Sequence, residues 1–212
     1  MFNDETDDIE ANDAKIEGPA VSPSTELPSG FKTVRDWIVV LVVALLVALG
    51  IRTFVLQQFY ISGPSMETTL FQPNRVLVNK LSYRLHDVRR GDVVVFDRVT
   101  SNGETVQHDD LIKRVVGLPE ESVEIHNCVV FVDGKALDEP YLSSDDVQQA
   151  NPVDRCRQPE MAKVIVPKEQ IFVLGDNRPQ SMDSRMFGPV DVSQVVGRAF
   201  VVIWPVNRWR WL

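Results

Sequence analysis

Histidine occurs three times and cysteine twice in these 212 residues. Cys128 and Cys156 lack the paired C-x-x-C spacing of a structural zinc site, and two cysteines cannot build a disulfide scaffold. With so few ligands a metal centre is not expected, and nothing in the chain calls for a cofactor. Positive charge is also scarce: 22 Lys and Arg stand against 30 Asp and Glu, a net charge of -8, with no basic stripe. Phosphate binding needs such a stripe, so nucleic acid is not an expected partner. Internal repeats are missing, and long apolar runs are missing with one exception. The ordinary 44% hydrophobic content excludes collagen-like, fully disordered and multi-span membrane classes.

The charge is unevenly spread. Residues 1–50 hold nine acids and three bases, whereas the remaining 162 residues hold 21 acids and 19 bases. The leading segment is acidic, carries Pro19, Pro23 and Pro28 among Ser and Gly, and lacks aromatics after Phe2. Such a stretch cannot bury enough apolar area to offset its ordering entropy, so residues 1–36 read as a disordered acidic tail. The exceptional run follows: Trp37 to Ile51 is fifteen residues without a charge, eleven of them Leu, Ile or Val. At a helix centre these eleven favour bilayer insertion by about 3 to 7 kcal/mol. Beyond Arg52, which can snorkel, the apolar pattern resumes, so residues 37–56 meet the length of a transmembrane helix. A buried core helix would show a polar face, and a cleaved signal peptide would not follow so long an acidic leader. Lys32 and Arg35 just before the span predict a cytoplasmic N-terminus and an extracytoplasmic remainder at the plasma membrane, although Arg52 on the far side opposes this.

After the span, short Val-rich runs bounded by turn residues recur at Arg75–Asn79, Asp92–Phe96, Leu111–Val116, Cys128–Val132, Gln170–Leu174 and Val195–Ile203. They predict a mostly β fold with antiparallel sheet over residues 57–212. Asp133-Gly134 directly after an apolar run reads as a hairpin turn. No stretch after residue 57 has the periodicity of an amphipathic helix. A proline-containing, polar region at 138–163 reads as loop, within an inserted excursion at about 124–168.

Three polar segments interrupt this pattern. Ser65 follows Gly63-Pro64 soon after the span, and such a turn can hold a hydroxyl exposed on rigid backbone, although S-G-P-S alone is merely a loop. Lys113 lies inside an apolar strand, where burial depresses a lysine pKa until the neutral amine can act as a base. Strand alternation offers the plainer reading, with one of Lys113 and Arg114 facing the core and the other solvent. From Gly175 to Arg185, eight of eleven residues carry hydrogen-bonding side chains, more than a simple turn needs.

Together these segments resemble the bacterial type I signal peptidases, membrane-anchored serine proteases, from about Arg35 to the C-terminus. The resemblance rests on F-x-I-x-G-P-S-M at Phe59 to Met66, R-G-D-V-V-V-F at Arg90 to Phe96, K-R-V-V-G-L-P at Lys113 to Pro119, and G-D-N-R-x-x-S-x-D-S-R at Gly175 to Arg185. It implies a signal-peptidase-like β fold with one N-terminal transmembrane helix. Ser65 is then the expected nucleophile and Lys113 its general base, a pairing that needs no histidine. Ser181 matches the serine that hydrogen-bonds the lysine amine. Asp183, Arg185, Asp176 and Arg114 match a supporting ion-pair network.

For the oxyanion, the Ser65 N–H is one expected donor; Pro64 has none to give, and Ser62 is the remaining candidate. Thr68 stands where the family usually has proline, which suggests a looser loop. Phe59, Ile61, Leu70 and Ile112 match the walls of shallow apolar pockets that accept small residues, though each could simply be core. The implied substrates are signal peptides of exported preproteins with Ala-x-Ala type sites, and the implied surroundings are the lipid bilayer. Three tryptophans and two arginines in the last nine residues suit a bilayer interface. Outside the cytoplasm, a bond between Cys128 and Cys156 is chemically permitted. Two other readings stay open: a self-cleaving Ser/Lys protease of the repressor type, which should bring a DNA-binding domain, and a non-catalytic binding ectodomain, which leaves Ser65, Lys113 and Ser181 unexplained.

Overall fold

A computed structural model describes residues 30–101, 103, 105–142 and 155–212. The chain forms two units, Met1–Val43 and Ala44–Leu212. The tail expected over residues 1–29 lies outside the described residues. Helix α1 runs from Gly30 to Gly50, so residues 30–36 are helical rather than part of a tail. A π-helical turn continues over Ile51–Val55, and Leu56 already begins a strand, one residue inside the span expected to end there. Thr33–Val55 is long and apolar enough to cross a membrane.

The strands are β1 Leu56–Tyr60, β2 Arg75–Asn79, β3 Val93–Ser101, β4 Val106–Gly117, β5 Ser122–His126, β6 Val129–Val132, β7 Lys135–Ala136, β8 Met161–Ile165, β9 Gln170–Leu174, β10 Val190–Asp191, β11 Val195–Trp204 and β12 Arg210–Trp211. Two further helices, α2 Ser82–Leu85 and α3 Ser184–Phe187, are single turns. All strand pairings are antiparallel. The large sheet has the order β1-β2-β11-β3-β4-β9-β10 with β12 beside β11, and the small one the order β7-β6-β5-β8. The small sheet spans Ser122–Ile165, and Met161–Ile165 pairs with β5, so the last residues of the stretch expected as loop over 138–163 are strand, while 143–154 lie outside the described residues. That strand escapes a periodicity search because none of its residues is fully buried: Met161 and Val164 are half-buried and Ala162, Lys163 and Ile165 are exposed. Asp133 and Gly134 both have positive φ, 50° and 74°, and close the β6–β7 hairpin as the turn chemistry predicts. Cys128 and Cys156 form a disulfide.

Three apolar clusters organise the β unit. The first gathers Ile61, Met66, Leu70, Val76, Val78, Val93 and Val95, with Phe59 and Ile112 packed against it. A second joins Val123, Ile125, Val130 and Val132 of the small sheet to Val116 of β4 and Phe172 and Leu174 of β9. The third gathers Val94, Phe96, Val115 and Val173, with Leu111 against it. Consecutive residues of β4 therefore meet apolar cover on both faces, Ile112 on one side and Leu111 and Val115 on the other. Alternation along β4 accordingly fails to expose either Lys113 or Arg114, and both are buried.

Candidate active site

Ser65 sits in a 3-10 turn, Pro64–Met66. Burial of Met66 in the first cluster pins that turn from below, and the Leu70 N–H donates to the Met66 carbonyl. From the other side the loop after β9 closes on it. The Asn177 N–H donates to the Ser65 carbonyl at 3.1 Å, and its side-chain Nδ2 donates to the Pro64 carbonyl at 3.0 Å. Gly175 makes this approach possible: a Cβ there would lie 2.4 Å from the Ser65 carbonyl oxygen and 2.2 Å from Ser181 Oγ.

Lys113 is 3% exposed, and its Nζ lies 2.8 Å from Ser65 Oγ and 2.9 Å from the Ile112 carbonyl, to which it donates. Burial lowers its pKa from 10.5 to about 8, working against the Asp183 and Asp176 charges, which raise it. At pH 8 a large share of the amine is then neutral. A neutral amine keeps one N–H for Ile112 and offers its lone pair to the Ser65 hydroxyl, which becomes the donor. The two carboxylates are themselves held. Asp176 takes Nε and Nη2 of Arg114 at 2.9 and 2.7 Å and the Thr69 hydroxyl at 2.5 Å. Asp183 takes Nε and Nη2 of Arg185 at 2.8 and 2.7 Å and the Gly175 N–H at 3.0 Å. Although burial raises the pKa of Asp183, the Arg185 hydrogen bonds and charge outweigh it and keep the carboxyl below its ordinary value.

Ser65, Lys113, Ser181, Asp183, Arg185, Asp176 and Arg114 thus converge, with three qualifications on the expected details. Ser181 is buried, but its hydroxyl does not hydrogen-bond the lysine amine; it helps hold Asp183 in the charged form while falling short of full hydrogen-bond geometry with any described group. Ser62 is exposed, and only its carbonyl is engaged, by the Gln72 side chain. Of the four apolar residues expected to line pockets, Ile61 and Leu70 are core, while Phe59 and Ile112 are half-buried. A further difference concerns Thr68, whose φ of 88° is one that proline cannot adopt. The loop here is differently shaped, rather than a proline turn made looser.

Sequence reasoning did not single out Gly175 or Asn177, although both lie in the dense polar loop; their roles depend on a backbone approach that spacing does not reveal. It also missed Thr69, Glu139 and Tyr141. The Tyr141 ring lies 3.9 Å from the Arg114 guanidinium, and Glu139 pairs with Arg178. Among the described residues no group of His, Cys, Asp and Glu could hold a metal ion.

A serine hydroxyl bonded to a desolvated lysine amine on a β scaffold can carry out acyl transfer without histidine. The comparisons agree with that class. The family described as "Signal peptidase, peptidase S26" matches residues 34–204. The probable signal peptidase I-2 of Synechocystis sp. is 42% identical over 79% of this chain and 72% of its own length. The signal peptidase I of Leptolyngbya laminosa is 35% identical over 90% of this chain and 89% of its own. A crystal structure of a signal peptidase I from Enterococcus faecalis is 30% identical, with a TM-score of 0.41, over 53% of this chain and 97% of that one. The chain belongs to the signal peptidase family, peptidase S26, and is a serine peptidase.

Proposed function

We propose that this protein is a membrane-anchored endopeptidase that removes signal peptides from exported preproteins after small residues, with Ser65 as nucleophile and neutral Lys113 as general base. The observation that carries the reading is the 2.8 Å contact between Lys113 Nζ and Ser65 Oγ in a buried strand. As Oγ attacks the scissile carbonyl, its proton passes to the Lys113 lone pair; the resulting ammonium then gives a proton to the departing amine. The acyl-enzyme is released when Lys113 takes a proton from water, which attacks the ester carbonyl. The Ser65 N–H is one donor to the oxyanion. The proposed limits on what fits beside Ser65 are Phe59 and Ile112, supported by their half-buried packing against the cluster that contains Ile61 and Leu70. Thr33–Val55 is the proposed anchor, with Lys32 and Arg35 on the cytoplasmic side and the β unit outside. Exposed Trp204, Trp209 and Trp211, with Arg75 over the Trp204 ring and Arg208 over Phe71, suit the headgroup region of a bilayer.

Wild type, Ser65→Ala and Lys113→Ala, purified in detergent and lipid, are to be incubated with a preprotein bearing an Ala-x-Ala site. Cleavage by wild type alone is expected; equal cleavage by all three overturns the reading. Because the free amine is the active form, the wild-type rate should rise with pH through a midpoint near about 8. A rate independent of pH across that range contradicts Lys113 as base.

A further inference from the structure

The segment 137–142 that follows β7, here called the strap, reaches back to the polar loop. The Glu139 carboxylate accepts from both Arg178 Nη groups, Nη1 at 3.0 Å, and from the Tyr141 hydroxyl at 2.6 Å. Burial beside Glu139 pushes the Tyr141 phenol up, so it stays a donor. Its ring covers the Arg114 guanidinium at 3.9 Å. The two arginines held in this way are those that hold the site. Arg178 Nε donates to the Gly175 carbonyl at 3.1 Å, and Arg114 grips Asp176 at both oxygens. Gly175 and Asp176 run directly into Asn177, which carries the Ser65 turn. Arg178 and Glu139 side chains are only 8% and 11% exposed. A buried ion pair adds little net stability over an apolar one, so its presence here points to geometry rather than to stability.

We propose that Glu139 and Tyr141 are positioning residues for the peptidase site, fixing residues 175–177 against the Ser65 turn through Arg178 and Arg114 and keeping water from the Lys113 amine. This rests on the reading of Ser65 and Lys113 given above. The groups facing that amine are Ser65, the Ile112 carbonyl, Asp176 and Asp183, the two carboxylates being paired with Arg114 and Arg185. Cutting the strap lets residues 175–177 lift from the Ser65 turn, which draws the Asp176 charge away but opens the Lys113 amine to water; because desolvation is the larger cause of its shift, the pKa then returns toward that of a free lysine.

The test uses the full chain in detergent and lipid with the Ala-x-Ala preprotein, measuring kcat and KM from about pH 6 to 10 for Glu139→Ala and Tyr141→Leu. At neutral pH kcat should fall about 10- to 100-fold with KM nearly unchanged, the pH midpoint should move above that of wild type, and much of the loss should be recovered near pH 10. Tyr141→Phe, which keeps the ring over Arg114 and removes only the bond to Glu139, should lie between these variants and wild type. Lys168→Ala, which removes an exposed pair with Glu120, should behave as wild type. Wild-type kcat in both strap variants, or a loss of kcat with an unmoved midpoint, overturns the proposal. If Glu139→Ala does not fold, Glu139→Gln and Tyr141→Phe carry the same comparison. Persistent cleavage by Lys113→Ala would instead refute the underlying site, so the two failures are distinguishable.

Discussion

The large and the small sheet place their charge in opposite ways. Around the large sheet, Lys113, Arg114, Asp176, Arg178 and Asp183 are all buried, and Asp183 and Asp176 side chains have no exposure at all. In the small sheet the buried apolar residues are Val and Ile, and the ion pairs on its surface, Lys163 with Glu124 and His126 with Glu160, involve side chains up to 66% exposed. Desolvating a charge costs several kcal/mol, so a protein buries one where a fixed orientation matters more than stability. The small sheet is stabilised like an ordinary domain; the large one gives up stability to hold two carboxylates and two guanidiniums around an amine.

Removing one member of a buried pair should show this contrast most strongly. Asp176→Asn leaves Arg114 buried without its counter-charge and should cost about 3 to 5 kcal/mol of stability. Chemical denaturation read by tryptophan fluorescence checks it. Lys163→Ala in the small sheet, measured in the same way, should change stability much less, and an equal loss in both would erase the distinction between the sheets.

Lys113 itself is the next largest effect, in the opposite direction. Its pKa falls from 10.5 to about 8 on folding, so the folded state binds its proton more weakly than the unfolded state. Stability therefore carries the full penalty below about pH 8, regains it between about 8 and 10.5, and has none above that window. Lys113→Met, of similar length and without charge, should stabilise the protein by roughly 2 to 4 kcal/mol at neutral pH while removing activity. The gain should shrink as pH rises through the window. A variant less stable than wild type at pH 7 would show that the contact with Ser65 outweighs desolvation.

Gly175→Ala tests backbone rather than charge. The new Cβ would displace Ser65 or Ser181, since it meets Ser65 O at 2.4 Å and Ser181 Oγ at 2.2 Å. A displacement of about 1 Å at a reacting group costs about 100-fold in rate. Cleavage should drop to that degree, with a fall in the melting midpoint from overpacking; Gly134→Ala at the β6–β7 turn should lower stability through its positive φ of 74° while leaving cleavage intact.

What could be read from sequence divides along the same line. Val-rich strands at Arg75–Asn79 and Gln170–Leu174 were legible to the residue, because apolar runs bounded by turns report local burial. Ser65, Lys113 and the polar loop were legible as residue types out of place. The contact between them was not, because it depends on β4 being covered on both faces, and that cover comes from strands distant in sequence. Glu139 and Tyr141 carry no sequence signal: a Glu and a Tyr near prolines read as loop, and only the fold brings them to Arg178 and Arg114.

The smallest expected effect lies at His126, on the exposed side of the comparison. Hydrogen bonds to Glu160 and Glu124 raise its pKa above the ordinary histidine value. A raised pKa means that its contribution to stability is complete below the unfolded-state pKa and disappears as pH climbs through the folded one. Because the ring and Glu160 are both solvent-exposed, water and salt screen the pair, and His126→Gln should leave cleavage unchanged at every pH. Its melting midpoint should shift less than that of Lys113→Met, and only on the acid side. If His126→Gln instead altered the pH midpoint of cleavage, charge on the small sheet would be felt at the Lys113 amine, and the division between a sheet that carries chemistry and one that only folds would no longer hold.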